Sequence, residues 1–371
     1  VSSRSIRVTA AQLADLGRGH GAPATIALLI DGQLSLRRVA LVAVAARAAQ
    51  LHPDFGSALR LVARIDREAP ERGRDLLRHP FLGAWFRSVA PSLATGTAPP
   101  RAAGYLGGLA AAVAAEAGIA DQLTVQDASW TPDTRIVTHT AGPRHFPAVV
   151  TDADPLRDRF GKPVLPALRP GDQVEFMRTL EQAWALLVQE QPEHAAAMRP
   201  ALRAVVPLRT PADGSQASAS ARGTFGAVAM SAPGDPVTAA ELLVHEFQHE
   251  KLNALLDLVP LCAEGGPAVW HAPWRPDPRP ASALLQGVYA FAGVTGFWRE
   301  RRHRTAGSER RLADSRFARS HQQVCYGLDQ LSASGELTPA GEIFTAALGA
   351  TLDAWRQDAR RAGQTAKGAM S

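Results

Sequence analysis

Cysteine is nearly absent: Cys262 and Cys325 are the only two in 371 residues. Two thiols cannot build a disulfide framework, a cysteine-rich zinc module or a cysteine-held iron–sulfur cluster, and such scarcity fits a reducing cytoplasm. Long apolar runs are missing too. The N-terminal VSSRSIRVTAAQLADLGRG has no apolar core of the kind a secretory signal carries, and AAGYLGGLAAAVAA is too short to span a bilayer. A large excess of charge is also lacking, since 40 Lys+Arg stand against 35 Asp+Glu for a net +5, with arginine supplying almost all the cations. So dispersed an excess leaves no footprint for nucleic acid. The expectation is a cytoplasmic protein with neither membrane nor nucleic acid among its partners. What is abundant is apolar material, 46% of the chain, enough for one large core or two moderate ones.

Apolar residues recur at helical spacing from about Thr9 to Glu116, as in LSLRRVALVAVAARAAQL and SALRLVARIDREA. Between Thr124 and Val164 the texture turns to β-branched residues broken by Pro, Gly and Asp, which predicts short strands and turns. QVEFMRTLEQAWALLVQ predicts a helix over about Asp172 to Gln191. A Ser/Gly-rich loop then leads to the short strand GAVAM, and helical periodicity returns from about Gly307 to Arg361, after the basic run WRERRHRTAGSERR. The expected fold is α+β and mainly α, with a helical N-terminal lobe at 1–118 and a mixed strand and helix region at 119–221. A metal-centred catalytic core at 222–302, built on one helix with a few short strands, precedes C-terminal helices at 303–371.

The chemistry concentrates in AAELLVHEFQHEKLNALLDLVPL. Thr238 with Glu241 three residues on is a capping-box pattern, so the helix is expected to start at Thr238. Leu242, His245, His249, Leu252 and Leu256 then share one face, expected to point to the core. Two imidazoles buried four residues apart are costly unless something satisfies them. Neighbouring polar groups are one answer. A divalent metal is the other, because imidazoles at i and i+4 converge on one point, and nitrogen and oxygen ligation without cysteine leaves zinc or non-haem iron.

Further candidates follow the helix. WRPDPRP holds Arg275, Asp277 and Arg279 on a proline-stiffened loop, and paired guanidiniums suit a dicarboxylate as readily as solvent. In ASALLQGVYAFAGVTGFWR, Gly287, Gly293 and Gly296 permit close approach of another helix, and Gln286 stands among apolar neighbours. A third metal ligand is open between Gln286, Asp277 and Glu264. In a zinc metalloprotease, Glu246 would be the general base acting on a metal-bound water.

LLVHEFQHEKLNALLDLVPL, APWRPDPRPASALLQGVYAF and FWR together resemble the HExxH-type peptide β-hydroxylases encoded with ribosomally made peptide natural products. LLRHPFLGAWFRSV and YLGGLAAAVAAEAG share that likeness, which extends over most of the chain and is strongest from about Phe225 to Arg299. The resemblance implies an oxygenase that uses iron(II), 2-oxoglutarate and dioxygen to hydroxylate the β-carbon of a residue in a precursor peptide. His245 and His249 would be iron ligands, with Gln286, or Asp277 in its place, as the third. Arg275, Arg279 and Tyr289 would bind the cosubstrate and Glu246 would act in catalysis. A radical SAM peptide maturase of the same pathway is the further partner implied. GAVAMS, just before the metal helix, is placed to pair with an extended peptide by strand addition, or else is an internal strand. The basic run would steer an acidic peptide, or else is a solvated loop.

Overall fold

The computed structural model describes residues 6–96, 100–119, 132–133, 135–138, 142, 145–267 and 269–368. Much of the strand-and-turn region expected between Thr124 and Val164 lies outside them. The described residues are mostly helical with one small sheet, as the mainly α reading expects. None of their helices is long and apolar enough to cross a membrane.

The chain forms two compact units, each assembled from separated stretches: 1–29, 179–200 and 234–371 in the first, 30–178 and 201–233 in the second. This division differs from four consecutive segments, because the partners that complete each core come from distant parts of the sequence. The opening helices are α1 (Ala10–Gly17) and α2 (Pro23–Ala45), the latter belonging to the second unit from Ile30 onward. Five more second-unit helices follow, α3 (Ala48–Leu51), α4 (Pro53–Glu68), α5 (Pro70–Leu77), α6 (Leu82–Thr95) and α7 (Pro100–Glu116), then the single turn α8 (Arg135–Thr138) and strand β1 (Val149–Val150). Helices α9 (Pro170–Glu190) and α10 (Pro192–Ala201) lead to β2 (Ala204–Leu208), β3 (Ser218–Ala219) and β4 (Ala227–Ser231). The first unit is completed by α11 (Pro236–Leu256), α12 (Ala281–Arg301), α13 (Gly307–Ala333) and α14 (Pro339–Gly368).

In the second unit the sheet order is β1-β2-β4-β3, with β2 parallel to both β1 and β4, and β3 antiparallel to β4. All five residues of β2 and of β4 are buried, which explains why both read as unbroken apolar runs rather than alternating ones. Strand β4, the GAVAMS segment, has β2 on one side and β3 on the other. It is therefore internal, the second of the two readings open for it, with β2 along its whole length and β3 at Ala229 and Met230. The same unit holds a buried polar group of His79, Tyr105 and Asp154, in which the Tyr105 hydroxyl donates to Asp154 Oδ2 at 3.0 Å.

In the first unit α11 packs on α12, α12 on α13, α13 on α14, and α14 on α1. Glycine makes two of these approaches possible: a Cβ at Gly293 would lie 2.6 Å from the Gln248 side chain of α11, and one at Gly17 would strike the Phe344 carbonyl of α14. Gly296 likewise sits under Trp355 of α14, whereas Gly287 makes room for the indole of Trp274 rather than for a helix.

The histidine-bearing helix α11 begins two residues earlier than its capping box predicts. Asp235 is the N-cap, its carboxylate accepting from the Val237 and Thr238 amides at 2.8 and 2.9 Å, with Pro236 in the first turn. Thr238 instead donates its hydroxyl to Asp235. Burial pushes the Asp235 carboxyl up, but the hydrogen bonds from Thr238 and Val237 outweigh it and hold it below the usual range. Asp235→Ala is expected to lower stability by about 1 kcal/mol, and Thr238→Val by clearly less, in urea denaturation of the two variants. The opposite order would restore Thr238 as the cap.

Candidate metal centre

Helix α11 is buried on most of its circumference, by Ala239, Leu243, Val244, Phe247, Leu252, Ala254 and Leu255. Polar side chains are carried inside with them. Glu246, Gln248, Glu250 and Lys251 are all buried, while His245 and His249 keep partial contact with solvent. Both histidines are thus mostly, though not wholly, withdrawn from solvent. Leu252 on their face is fully buried, Leu242 and Leu256 are half-buried, and much of the deep side of the helix belongs to residues the apolar pattern did not single out.

The two rings meet edge to face with centroids 4.9 Å apart, and Phe291 of α12 closes on His245 at 5.0 Å in the same manner. Trp274 in turn stacks on Phe291 at 4.6 Å, so the loop before α12 forms an aromatic wall behind His245. Burial, with His249 as a further cause, pushes the His245 imidazole down to about 3. It is neutral at physiological pH, the form that binds metals. Among the described residues its ring nitrogens have no hydrogen-bond partner.

His249 differs in being held. Its Nδ1 lies 2.9 Å from Gln286 Oε1, and Gln286 Nε2 donates to Asn253 Oδ1 at 2.9 Å. Asn253 follows His249 by four residues, so His245, His249 and Asn253 form one line along α11, with Gln286 facing them from α12. With the amide oxygen of Gln286 facing it, which only accepts, Nδ1 is the side of the ring that donates in this contact. Metal-binding histidines are commonly held in this way, the outer nitrogen donating to a fixed acceptor.

The remaining candidates are placed as follows. Arg275 and Arg279 sit on an exposed loop closed by mutual backbone hydrogen bonds between Trp270 and Arg279. Both pair with Asp277, at 3.0 and 3.2 Å, and the hydrogen bond from Arg275 holds the Asp277 carboxyl below the usual range. Glu264 is exposed. Tyr289 is fully buried: its hydroxyl donates to the Leu16 carbonyl at 2.8 Å and its ring lies 5.5 Å from the Lys251 ammonium. So placed, Tyr289 has no polar atom left to meet a cofactor and belongs to the core. Glu246 is 3% exposed, and one step along the helix turns it about 100° from His245. Among the described residues no group of three or more His, Cys, Asp and Glu side chains is disposed to hold a metal ion. What the two helices bring together is a pair of imidazoles with an amide behind one of them, and among the described residues no carboxylate completes a triad.

Part of the basic run is paired internally, while Arg304 and Arg311 are exposed. Arg299 pairs with Asp358 at 2.8 Å, Arg301 with Glu190 at 3.0 Å and Arg302 with buried Asp314 at 2.6 Å.

Sequence reasoning missed Asn253 and Lys251. Asn253 was detectable, since it continues the four-residue spacing of the histidines. Lys251 was not: its ammonium donates to the Gly19 and His20 carbonyls at 2.7 and 2.8 Å, partners far away in sequence. Gly19 adopts φ +102°, a left-handed conformation that glycine tolerates and that shapes this turn.

No family model matches the chain, and no curated protein does.

Proposed function

We propose that this protein is an iron(II)- and 2-oxoglutarate-dependent oxygenase that hydroxylates the β-carbon of a residue in a ribosomally made precursor peptide. The observation that carries the metal half of this reading is the chain Asn253 to Gln286 to His249, beside an unengaged and neutral His245. The peptide and 2-oxoglutarate halves rest on the sequence resemblance.

When bound, iron(II) with 2-oxoglutarate and dioxygen supplies the oxidant: one oxygen atom enters the peptide C–H bond, the other leaves in succinate, and carbon dioxide is released. The chain's own residues do the rest. His245 and His249 hold the metal, and Gln286 orients the second of them instead of binding the metal through the same oxygen. Phe291 and Trp274 keep water from one side of the pair. Arg275 and Arg279 are the candidate partners of the 2-oxoglutarate carboxylate, which would take over contacts now made by Asp277.

The hydrolytic alternative, with Glu246 as base on a zinc-bound water, gains nothing from a carboxylate that is only 3% exposed. The test is anaerobic loading with iron(II), measurement of 2-oxoglutarate binding by calorimetry, and succinate release on admitting oxygen. Iron-dependent binding and turnover, both lost in His245→Ala, are expected. Retained zinc with peptide cleavage and no 2-oxoglutarate binding would replace the oxygenase with a protease. Unfolding on chelation, with neither activity, would make the metal a structural staple in a peptide-binding module.

A further inference from the structure

We infer that the first unit holds a further binding site, a cavity between the turn after α1, the start of α10, and helices α12 and α14, which takes an organic oxyanion: a carboxylate or phosphate group on an apolar body. The site is independent of the oxygenase reading, since its lining shares no residue with the histidine pair or the loop before α12.

The cavity measures about 490 Å³, within the size range of small-molecule sites. Contacts fixed by the fold give it its walls. The buried ammonium of Lys251 clasps the Gly19 and His20 carbonyls, so the turn at Gly19 presents Arg18 and His20 to the cavity. Gln191 Nε2 donates to the Phe297 carbonyl at 3.1 Å, which ties the start of α10 to α12 and brings in Pro192, Glu193 and His194. Gly296 lets the Trp355 indole lie close over α12, and Trp355 with Pro192 supplies the apolar part of the lining.

Two kinds of group in this lining are uncommitted. His194 is 1% exposed and its Nδ1 has no hydrogen-bond partner among the described residues; the same holds for Nδ1 of His20, whose ring centroid lies 4.8 Å away. Unmatched buried polar atoms are costly, so a ligand that meets them is favoured. Burial, with His20 and Lys251 as further causes, pushes the His194 pKa well down, and the ring enters neutral, as a hydrogen-bonding partner and not as a charge. The charge comes from arginine. Arg18 and Arg304 line the cavity, are exposed and so stand at its opening, and have no side-chain partner among the described residues. The carboxylates of the lining all have partners: Glu190 has Arg301 at 3.0 Å, Glu300 has Arg299 at 3.0 Å, and the largely solvated Glu193 has His20 at 3.2 Å. What remains available is therefore two guanidiniums, whose paired N–H donors match the oxygens of a carboxylate or phosphate. The first turn of α10 adds the positive end of a helix dipole.

The test is titration of the metal-free native protein with phenyl phosphate and with benzoate at fixed ionic strength. Binding is followed by the indole N–H resonance of Trp355, which Trp355→Phe identifies by its disappearance. A saturable shift is expected with at least one probe, phenyl phosphate marking the group as phosphate and benzoate as carboxylate. Inorganic phosphate and acetate, which lack the apolar body, are expected to bind about tenfold more weakly. The double variant Arg18→Gln with Arg304→Gln, both at exposed positions, is expected to keep the unbound spectrum and to weaken binding by about tenfold or more. No saturable shift with either probe, or one that the double variant leaves intact, would overturn the site. A response lost in Arg275→Gln instead would place the anion on the exposed loop of the candidate centre, overturning this site and leaving the oxygenase reading standing.

Discussion

Lys251→Met should erase a rise in folding stability that the native protein shows between about pH 7 and the ordinary lysine value of 10.5. Lys251 is 1% exposed, clasped by two carbonyls and flanked by the rings of Phe247 and Tyr289 at 5.6 and 5.5 Å. Burial pushes its pKa down to about 7, and Asp15 only partly offsets this. The unfolded chain thus binds a proton that the folded one gives up across that window, so stability increases with pH there and is lost again as pH falls toward 7. The difference is on the order of 5 kcal/mol. Methionine removes the buried charge but strands the Gly19 and His20 carbonyls, at about 1–3 kcal/mol each. The variant should therefore be close to the native protein near neutrality, clearly weaker at high pH, and flat between. Urea denaturation at the two ends of the window decides the matter, and parallel profiles for the two proteins would refute it.

The second large effect lies in the buried group of the sheet-bearing unit, where two proton equilibria oppose each other. Burial raises Asp154 from 3.8 to about 7 and lowers His79 from 6.5 to about 3. His79 Nε2 stands 3.9 Å from Asp154 Oδ2, and neither ring nitrogen has a hydrogen-bond partner among the described residues. For Asp154 the folded state holds the proton more tightly, so its contribution is complete below about pH 4 and lost as pH rises through 7. For His79 the contribution is complete above 6.5 and lost as pH falls toward 3. Each slope is worth on the order of 4–5 kcal/mol, and between pH 4 and 6.5 they largely cancel. Asp154→Asn keeps an acceptor for the Leu156 amide, now bonded at 2.8 Å, and leaves the histidine slope alone. Its stability should fall steeply on acidification from pH 6.5. His79→Leu should do the reverse and weaken from pH 4 to 7. Variants that track the native curve would show that neither group titrates within the fold.

These effects mark where sequence reading ends. The helix bearing the histidines was legible because its apolar residues and imidazoles repeat with a period intrinsic to the chain. Its true start was not, since Thr238 and Asp235 both satisfy capping chemistry and only the backbone path chooses between them. The four-residue spacing announced a shared face but not its depth. Leu242 and Leu256 on that face are half-buried, whereas Glu246, Gln248, Glu250 and Lys251 go inside. A buried lysine is legible only through its acceptors, and here those are backbone carbonyls of a glycine turn more than two hundred residues away. GAVAMS was legible as a strand, but its neighbours in the sheet were not, because β2 pairs with it across an intervening hairpin-like excursion through β3.

The interleaving of the two units bears on how the chain comes together as it is made. All stretches of the sheet-bearing unit have been synthesised once Pro233 is in place, whereas α1 must wait for α14, the last helix described. Closing that long loop carries an entropy cost that grows with the logarithm of its length, and contacts so distant in sequence form late. A fragment trimmed to the histidine helix and its neighbour would contain both imidazoles, Gln286 and Asn253. It would lack the glycine turn that holds Lys251 and the helix that seats α1, so the two imidazoles would be present without the framework that fixes their positions.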